Sequence, residues 1–198
     1  MDLYGSKAAL LKRLDPAVGA LGRAGVDPDA LTLAAIPVAT VAGIALLLSP
    51  QVPLLLVLVP LCAVGRLLLN LLDGALARRL GRTHARGELY NELADRLADV
   101  VMLAPVAFLP GAQPETVLLG VTGAVLASFA GLAPKAAGGT RIYRGILSKP
   151  GRMALLSVFS LLALALGSDA WWWFGPLLLA GTAATSAERV AAGIRQLP

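Results

Sequence analysis

The sequence is short of charge, of aromatic rings and of reactive side chains. Only 15% of its 198 residues are Asp, Glu, Lys or Arg, against about a quarter in a typical soluble domain. With 57% of residues hydrophobic, there is too little polar side chain to wet the outside of a globule. That excludes a cytosolic enzyme, a nucleic-acid-binding module and a disordered regulator. One cysteine, Cys62, lies inside an apolar run, which excludes a disulfide framework and makes the thiol a packing group. Aromatic residues make up 5% of the chain, and there is no internal repeat or low-complexity linker.

What is present is a series of apolar stretches of the length that spans a bilayer, about 20 residues each. They fall at 29–48, 53–77, 89–110, 115–134, 152–167 and 171–191, separated on one side by Ser49-Pro50, Pro110-Gly111 and Gly167-Ser168-Asp169. The cations are confined to the other side. They are Lys7, Lys12, Arg13 and Arg23 before the first span, Arg78, Arg79, Arg82 and Arg86 after the second, Lys135, Arg141, Arg144, Lys149 and Arg152 after the fourth, and Arg189 and Arg195 in the tail. The opposite loops carry no Lys or Arg, only Glu115 and Asp169. By the positive-inside rule both termini are cytoplasmic. Trp171-Trp172-Trp173 then sits where an outer aromatic belt would be. No cleavable signal peptide is expected, because the first apolar stretch lacks an h-region. Ala8, Leu11, Leu14, Val18 and Leu21 share a helical stripe, as in an amphipathic helix lying on the membrane surface or a short helix packed on the bundle. The expected fold is an all-α integral membrane domain over 1–198, with an interfacial helix at 1–26 and a six-helix bundle at 29–191.

Spans two and three break the apolar pattern. Arg66, Asp73, Glu92, Asp95, Arg96 and Asp99 lie in or at the edge of them, where a charge at a helix centre costs about 2.5–3.5 kcal/mol. Asn70 and Asp73 are i, i+3 on one helix, and Asn91, Asp95 and Asp99 are i, i+4, i+8 on the next, with Glu92 beside them. A basic, glycine-punctuated turn over 78–87 joins the two. Oxygen donors on facing helices suit Mg²⁺ or Mn²⁺, and cations at the mouth suit a phosphorylated substrate. A set of Arg–Asp pairs stitching two helices together is the alternative reading of the same residues.

The stretch Asn70-x2-Asp73-Gly74-x2-Ala77-Arg78-x8-Gly87-x3-Asn91-x3-Asp95 resembles the signature of the CDP-alcohol phosphotransferase family, D-x2-D-G-x2-A-R-x8-G-x3-D-x3-D. Every spacing is kept, and six of the eight residues agree. The resemblance extends to the six-span architecture. It implies a membrane enzyme that transfers a phosphatidyl group from a CDP-linked donor, CDP-diacylglycerol in small bacterial members, to a polar acceptor alcohol, releasing CMP in phospholipid biosynthesis. It implies two Mg²⁺ or Mn²⁺ ions, a homodimer, and an active site on the inner side of a bacterial cytoplasmic membrane. No nucleic-acid partner is expected.

Residue by residue, the resemblance makes Asp73 and Asp95 metal ligands, with Asn70 and Asn91 at the two remaining ligand positions and Asp95 also the candidate base. Gly74, Ala77, Arg78 and Gly87 would face the donor. Thr83 and His84 fall where relatives place a small hydroxyl residue near the nucleotide. Pro28-Asp29-Ala30-Leu31-Thr32 resembles a Pro-Asn-x-x-Thr stretch beside the cytidine, although an ordinary helix N-cap explains the same residues. Arg141, Lys149 and Arg152 lie in the loop that supplies acceptor-binding cations in relatives.

Asn70 and Asn91 are the departure, and a bacterial branch of the family resembles this chain in carrying them. Asn offers a carbonyl oxygen but no charge, so the four-acid set falls to two. Glu92 or Asp99 would replace the missing charge, or a single ion would bind, or the chain would be an inactive relative that binds lipid or nucleotide. A small transporter would also carry intramembrane charges, but it should show repeat symmetry and broken helices.

Overall fold

The computed structural model describes residues 3–197, with side chains from Arg13 onward. Lys7, Ala8, Leu11 and Lys12 lie outside the described side chains. Seven α-helices run in chain order: α1 Leu3–Arg23, α2 Pro28–Leu48, α3 Leu58–Arg79, α4 Ala85–Leu103, α5 Pro114–Ala136, α6 Lys149–Leu166 and α7 Phe174–Ile194. Short 3₁₀ turns lead into α3 (Pro53–Val57), out of α4 (Ala104–Phe108) and into α7 (Ser168–Trp173). No strand occurs among the described residues.

Local chemistry starts these helices where they start. Asp27 caps α2, its carboxylate accepting from the Asp29 amide at 3.0 Å, and Pro28 takes the first helical position. Pro114 opens α5 and Pro150 sits second in α6, positions where the missing proline N–H leaves no helical bond unmade. The six expected spans correspond to α2–α7. Pro28–Leu48, Pro53–Arg79, Pro114–Ala136 and Lys149–Leu166 are long and apolar enough to cross a membrane. The helices α4 and α7 are long enough, at 19 and 21 residues, but not among the four. Charges dilute α4, and Glu188 and Arg189 stand among glycine, threonine and serine in α7.

In the bundle α2 packs against both α3 and α4, α5 pairs with α7, and α6 lies on α3. Small residues make the close crossings. A Cβ on Gly43 of α2 would stand 2.6 Å from the Val101 carbonyl of α4, and one on Gly123 of α5 would stand 2.4 Å from Thr182 Oγ1 of α7. The small-residue run on α5 (Gly120, Gly123, Ala124, Ala127, Ala130, Gly131) turns Gly120, Gly123 and Gly131 toward Leu178, Thr182 and Arg189 of α7 in the same chain. A homodimer would have to use another face.

The outward faces of α2, α3 and α5 are apolar, with Val41, Ile44, Leu61, Val64, Leu126 and Phe129 all exposed. This is the surface of a protein solvated by lipid tails. The three tryptophans do not act as one belt. Trp172 and Trp173 are exposed, but Trp171 is buried and meets Phe174 edge-on at 5.8 Å. Successive side chains of a 3₁₀ turn point about 120° apart, so one of the three had to face inward. In α1, Val18 is buried, α1 packs on α3, and Asp15 pairs with Arg79 at 2.9 Å. The part of α1 whose side chains are described thus rests on the bundle.

Candidate active site

The motif residues converge where α2, α3, α4 and α6 meet. Asp73 on α3 is buried, its Oδ2 accepting from Thr32 Oγ1 of α2 at 2.7 Å and its Oδ1 from the Gly74 amide at 2.5 Å. Asn70, one turn earlier, donates from Nδ2 to Asn91 Oδ1 at 2.9 Å and to Asp95 Oδ1 at 3.4 Å, tying α3 to α4. Its Oδ1 accepts from Lys149 Nζ at 2.6 Å, and Lys149 also donates to Asp95 Oδ1 at 2.5 Å. Asn70, Asp73, Asn91, Asp95 and Lys149 therefore form one polar centre in the bundle, with an ammonium held between an amide and a carboxylate.

Asp99 and Glu92 stand beside this centre but are taken up by arginines. Asp99 is 1% exposed, with Arg66 Nη1 at 2.7 Å and Arg152 Nη2 at 2.5 Å. Glu92 is bound by both Arg96 and Arg141. Neither is left to supply the charge that Asn70 and Asn91 lack, because each carboxylate already neutralises guanidinium groups that burial would otherwise strand. Among the described residues no group of three or more His, Cys, Asp or Glu side chains is arranged to hold a metal ion. The two readings of the intramembrane charges thus apply to different residues. Arg66, Asp99 and Arg152 stitch helices together, and Asp73 and Asp95 remain at the polar centre.

The acceptor-side cations separate in the same way. Arg152 is 2% exposed and donates to the Leu147 carbonyl, Asp99 and Ser128 Oγ, so it is an interior brace rather than a group at the mouth. Arg141 remains partly exposed, with its guanidinium 4.8 Å from the centre of the Tyr143 ring.

Asp29, Thr83 and His84, expected beside the nucleotide, line a recess of about 280 Å³ together with Asp27, Pro28, Gly81 and Arg82. His84 caps α4, its Nδ1 accepting from the Gly87 amide at 2.9 Å, and its Nε2 lies 3.6 Å from Asp29 Oδ2. A Cβ at Gly87 would come within 3.1 Å of Asp29 Oδ1, so glycine there lets the start of α2 approach the start of α4. Thr32 connects this recess to Asp73. Arg78 folds back along α3 until its Nη1 is 3.3 Å from where a Gly74 Cβ would be, and the Ala77 carbonyl accepts from the Arg82 amide at 2.9 Å to close the helix end.

Two arginines important to this geometry were not marked as site residues by the motif. Arg66, fully buried, donates to the Asp95 carbonyl at 2.8 Å and so fixes the backbone that carries Asp95. Arg189 of α7 donates to the carbonyls of Ala127, Tyr143 and Arg144 at 2.7, 3.3 and 2.8 Å, pinning the loop that presents Arg141. These contacts to main-chain oxygens leave no trace in a sequence. The only available signal was a charge in an apolar helix.

The family model for CDP-alcohol phosphatidyltransferase matches residues 26–186 of the chain. Two curated relatives align over most of it. The inner membrane protein YnbA of Escherichia coli (strain K12) is 32% identical over 161 residues, covering 81% of this chain and 80% of its own. The archaetidylinositol phosphate synthase of Aeropyrum pernix is 30% identical over 168 residues, covering 80% and 82%. The fold matches that of Mycobacterium tuberculosis phosphatidylinositol phosphate synthase. Its structure with CDP-DAG bound superposes with a TM-score of 0.73 at 22% identity, covering 90% of this chain and 92% of that one. Its complex with manganese and citrate gives 0.74 at 18% identity, covering 90% and 88%.

Proposed function

The chain belongs to the CDP-alcohol phosphatidyltransferase family, and from that membership we propose that it is an active phosphatidyltransferase. It would move a phosphatidyl group from a CDP-linked lipid, CDP-diacylglycerol in the first instance, to a polar acceptor alcohol and release CMP. The observation that carries this reading is that Asp73 on α3 and Asp95 on α4 are both buried, Asp73 hydrogen-bonded to Thr32 at the start of α2 beside the Asp29–His84 recess, and Asp95 hydrogen-bonded to Lys149 with Arg66 and Arg96 no nearer than 3.8 Å to its carboxylate. Loss of function by drift would not leave Asp73, Asp95, Asp99, Gly74, Ala77 and Arg78 all in place.

The donor set suits a hard divalent cation. The carboxylates of Asp73 and Asp95 and the amide oxygen of Asn91 are all oxygen ligands, and the Lys149 ammonium between Asn70 and Asp95 shows that the centre draws positive charge. Bound there, Mg²⁺ or Mn²⁺ would neutralise the donor diphosphate and stabilise departing CMP. The chain's own groups do the rest. Asp95, its backbone held by Arg66, accepts the proton of the acceptor hydroxyl, whose oxygen attacks the lipid-linked phosphorus as the bond to CMP breaks. Arg78 and the Gly74 backbone face the donor phosphates, and the recess of Asp29, Thr83 and His84 takes the nucleotide. Arg141, the expected acceptor cation, stays partly exposed beside Glu92 and orients the polar head of the acceptor.

The cation distribution supports six spans, cytoplasmic termini and a site opening on the cytoplasmic face of the membrane. The test is CMP release by purified protein in detergent with CDP-diacylglycerol, Mg²⁺ or Mn²⁺ and a panel of acceptors (glycerol phosphate, inositol phosphate, serine, a phospholipid headgroup). Release should require metal and fall by at least about 10²-fold in Asp95→Ala. Turnover untouched by Asp95→Ala would refute the assignment, and nucleotide binding without release for any acceptor would favour a lipid- or nucleotide-binding relative.

A further inference from the structure

The residue that most distinguishes this centre is Lys149. It is the first residue of α6, its backbone set by Ser148 before it and Pro150 after it, and α6 packs directly on α3. Its side chain is 15% exposed and its ammonium is bound by Asn70 Oδ1 and Asp95 Oδ1, both within 2.6 Å. Asn70 is fitted to that ammonium. Its amide oxygen accepts from the lysine while its NH₂ donates to Asn91 and Asp95. A carboxylate at position 70 could not donate either bond and would put a further negative charge against Asp95. Asn70 and Lys149 thus form a matched pair, with Asn91 linked to it only through Asn70, so that the amide at position 70 goes with a permanent cation rather than with an exchangeable one.

Charge balance then limits what else can bind. Phosphoryl-transfer centres with two divalent ions hold them about 3.5–4 Å apart and compensate them with several carboxylates. Among the described residues, Asp73 and Asp95 are the carboxylates at the centre without an arginine hydrogen bond; Lys149 already offsets Asp95, and Arg66 and Arg96 add positive charge 3.8 and 3.9 Å from its oxygens. Two divalent ions beside the ammonium would leave a large uncompensated positive charge in the bundle. One ion leaves a single excess charge, which a diphosphate covers.

We propose that the Lys149 ammonium permanently replaces one cation of a two-cation centre, so that the chain binds a single divalent ion and uses Lys149 as the second, fixed charge against the donor diphosphate. This rests on the phosphatidyltransferase reading above, because it assigns the ammonium to the same diphosphate. It moves Lys149 from the acceptor-binding cations to the metal centre.

The test is the number of Mn²⁺ ions bound per chain, measured on the full-length protein in detergent by equilibrium dialysis and by the electron paramagnetic resonance of bound Mn²⁺, without donor or acceptor. The wild type should bind one ion, with no Mn–Mn dipolar broadening. The triple variant Asn70→Asp/Asn91→Asp/Lys149→Met should bind two, with broadening. Lys149→Met alone should bind its single Mn²⁺ at least about tenfold more tightly, because a neighbouring like charge is gone, and should lose about 10²-fold in CMP release. Two ions in the wild type, or none, would overturn the proposal, and neither measurement depends on a variant that must fold. Unchanged Mn²⁺ affinity in a monodisperse Lys149→Met protein would overturn it as well. One ion in the wild type without CMP release from any acceptor would instead count against the transferase reading and leave the single-ion count standing.

Discussion

Replacing Asp99 by Asn would test whether the buried charges outside the polar centre are a structural device. Asp99 bridges Arg66 Nη1 at 2.7 Å and Arg152 Nη2 at 2.5 Å, and none of the three side chains is more than 2% exposed. Asn keeps the shape of the side chain but removes its charge and turns one acceptor oxygen into an NH₂ donor, leaving two guanidiniums side by side with no carboxylate between them. Removing one partner of a buried pair costs about 3–5 kcal/mol. The lower end applies here, because Arg66 keeps the Asp95 carbonyl at 2.8 Å and Arg152 keeps the Leu147 carbonyl at 2.8 Å. At about 2–4 °C per kcal/mol for a chain of this size, the unfolding midpoint in a fixed detergent should fall by about 6–12 °C. Adding Arg152→Met to Asp99→Asn removes one stranded cation and should restore about half of that loss. The assay is thermal unfolding followed by circular dichroism, with wild type, both single variants and the double variant in the same detergent. A midpoint within about 2 °C of wild type for Asp99→Asn, or strictly additive losses in the double variant, would mean that the guanidiniums are hydrated and that the triad does not hold these helices.

Other consequences can be checked in the same preparations. Thr32→Val removes the hydroxyl that donates to Asp73 Oδ2 at 2.7 Å; Mn²⁺ affinity should fall about 10–100-fold, and Thr32→Ser should retain most of it. Gly123→Val places a Cβ 2.4 Å from Thr182 Oγ1 and should destabilise the α5–α7 pair by about 1–3 kcal/mol, read as a lower unfolding midpoint. His84→Ala removes the acceptor for the Gly87 amide and should cost about 1 kcal/mol, whereas His84→Ser can still cap α4 and should come close to wild type. Equal losses in the two variants would show that the imidazole does more than cap.

The helical architecture could be read from the sequence because its causes are local. Apolar runs of spanning length, prolines at helix starts and cations on one side each act within one helix or one loop, and α2, α3, α5 and α6 appear within a few residues of the expected spans. The motif was legible for a similar reason. Asn70 and Asp73 lie one turn apart on α3, as Asn91 and Asp95 do on α4, so the face they share follows from helical geometry. Trp171 was less legible, because three like residues in a row give no sign of which one a 3₁₀ turn will bury.

What only the tertiary structure decided is which charges pair. Asp95, Asp99 and Glu92 look alike along α4, yet one meets a lysine from α6, one is clamped by arginines from α3 and α6, and one is bound by an arginine on its own helix and another from the loop before α6. Lys149 and Arg152 are three residues apart, and one enters the polar centre while the other is buried behind it. A long cation can reach several acids from the same backbone position, and burial makes the choice among them worth several kcal/mol. That choice depends on where α6 lies against α3 and α4. The sequence alone determined that a membrane bundle carries this motif with two amides in place of two acids, and the packing of α6 determined that Lys149 enters its polar centre while Arg152 does not.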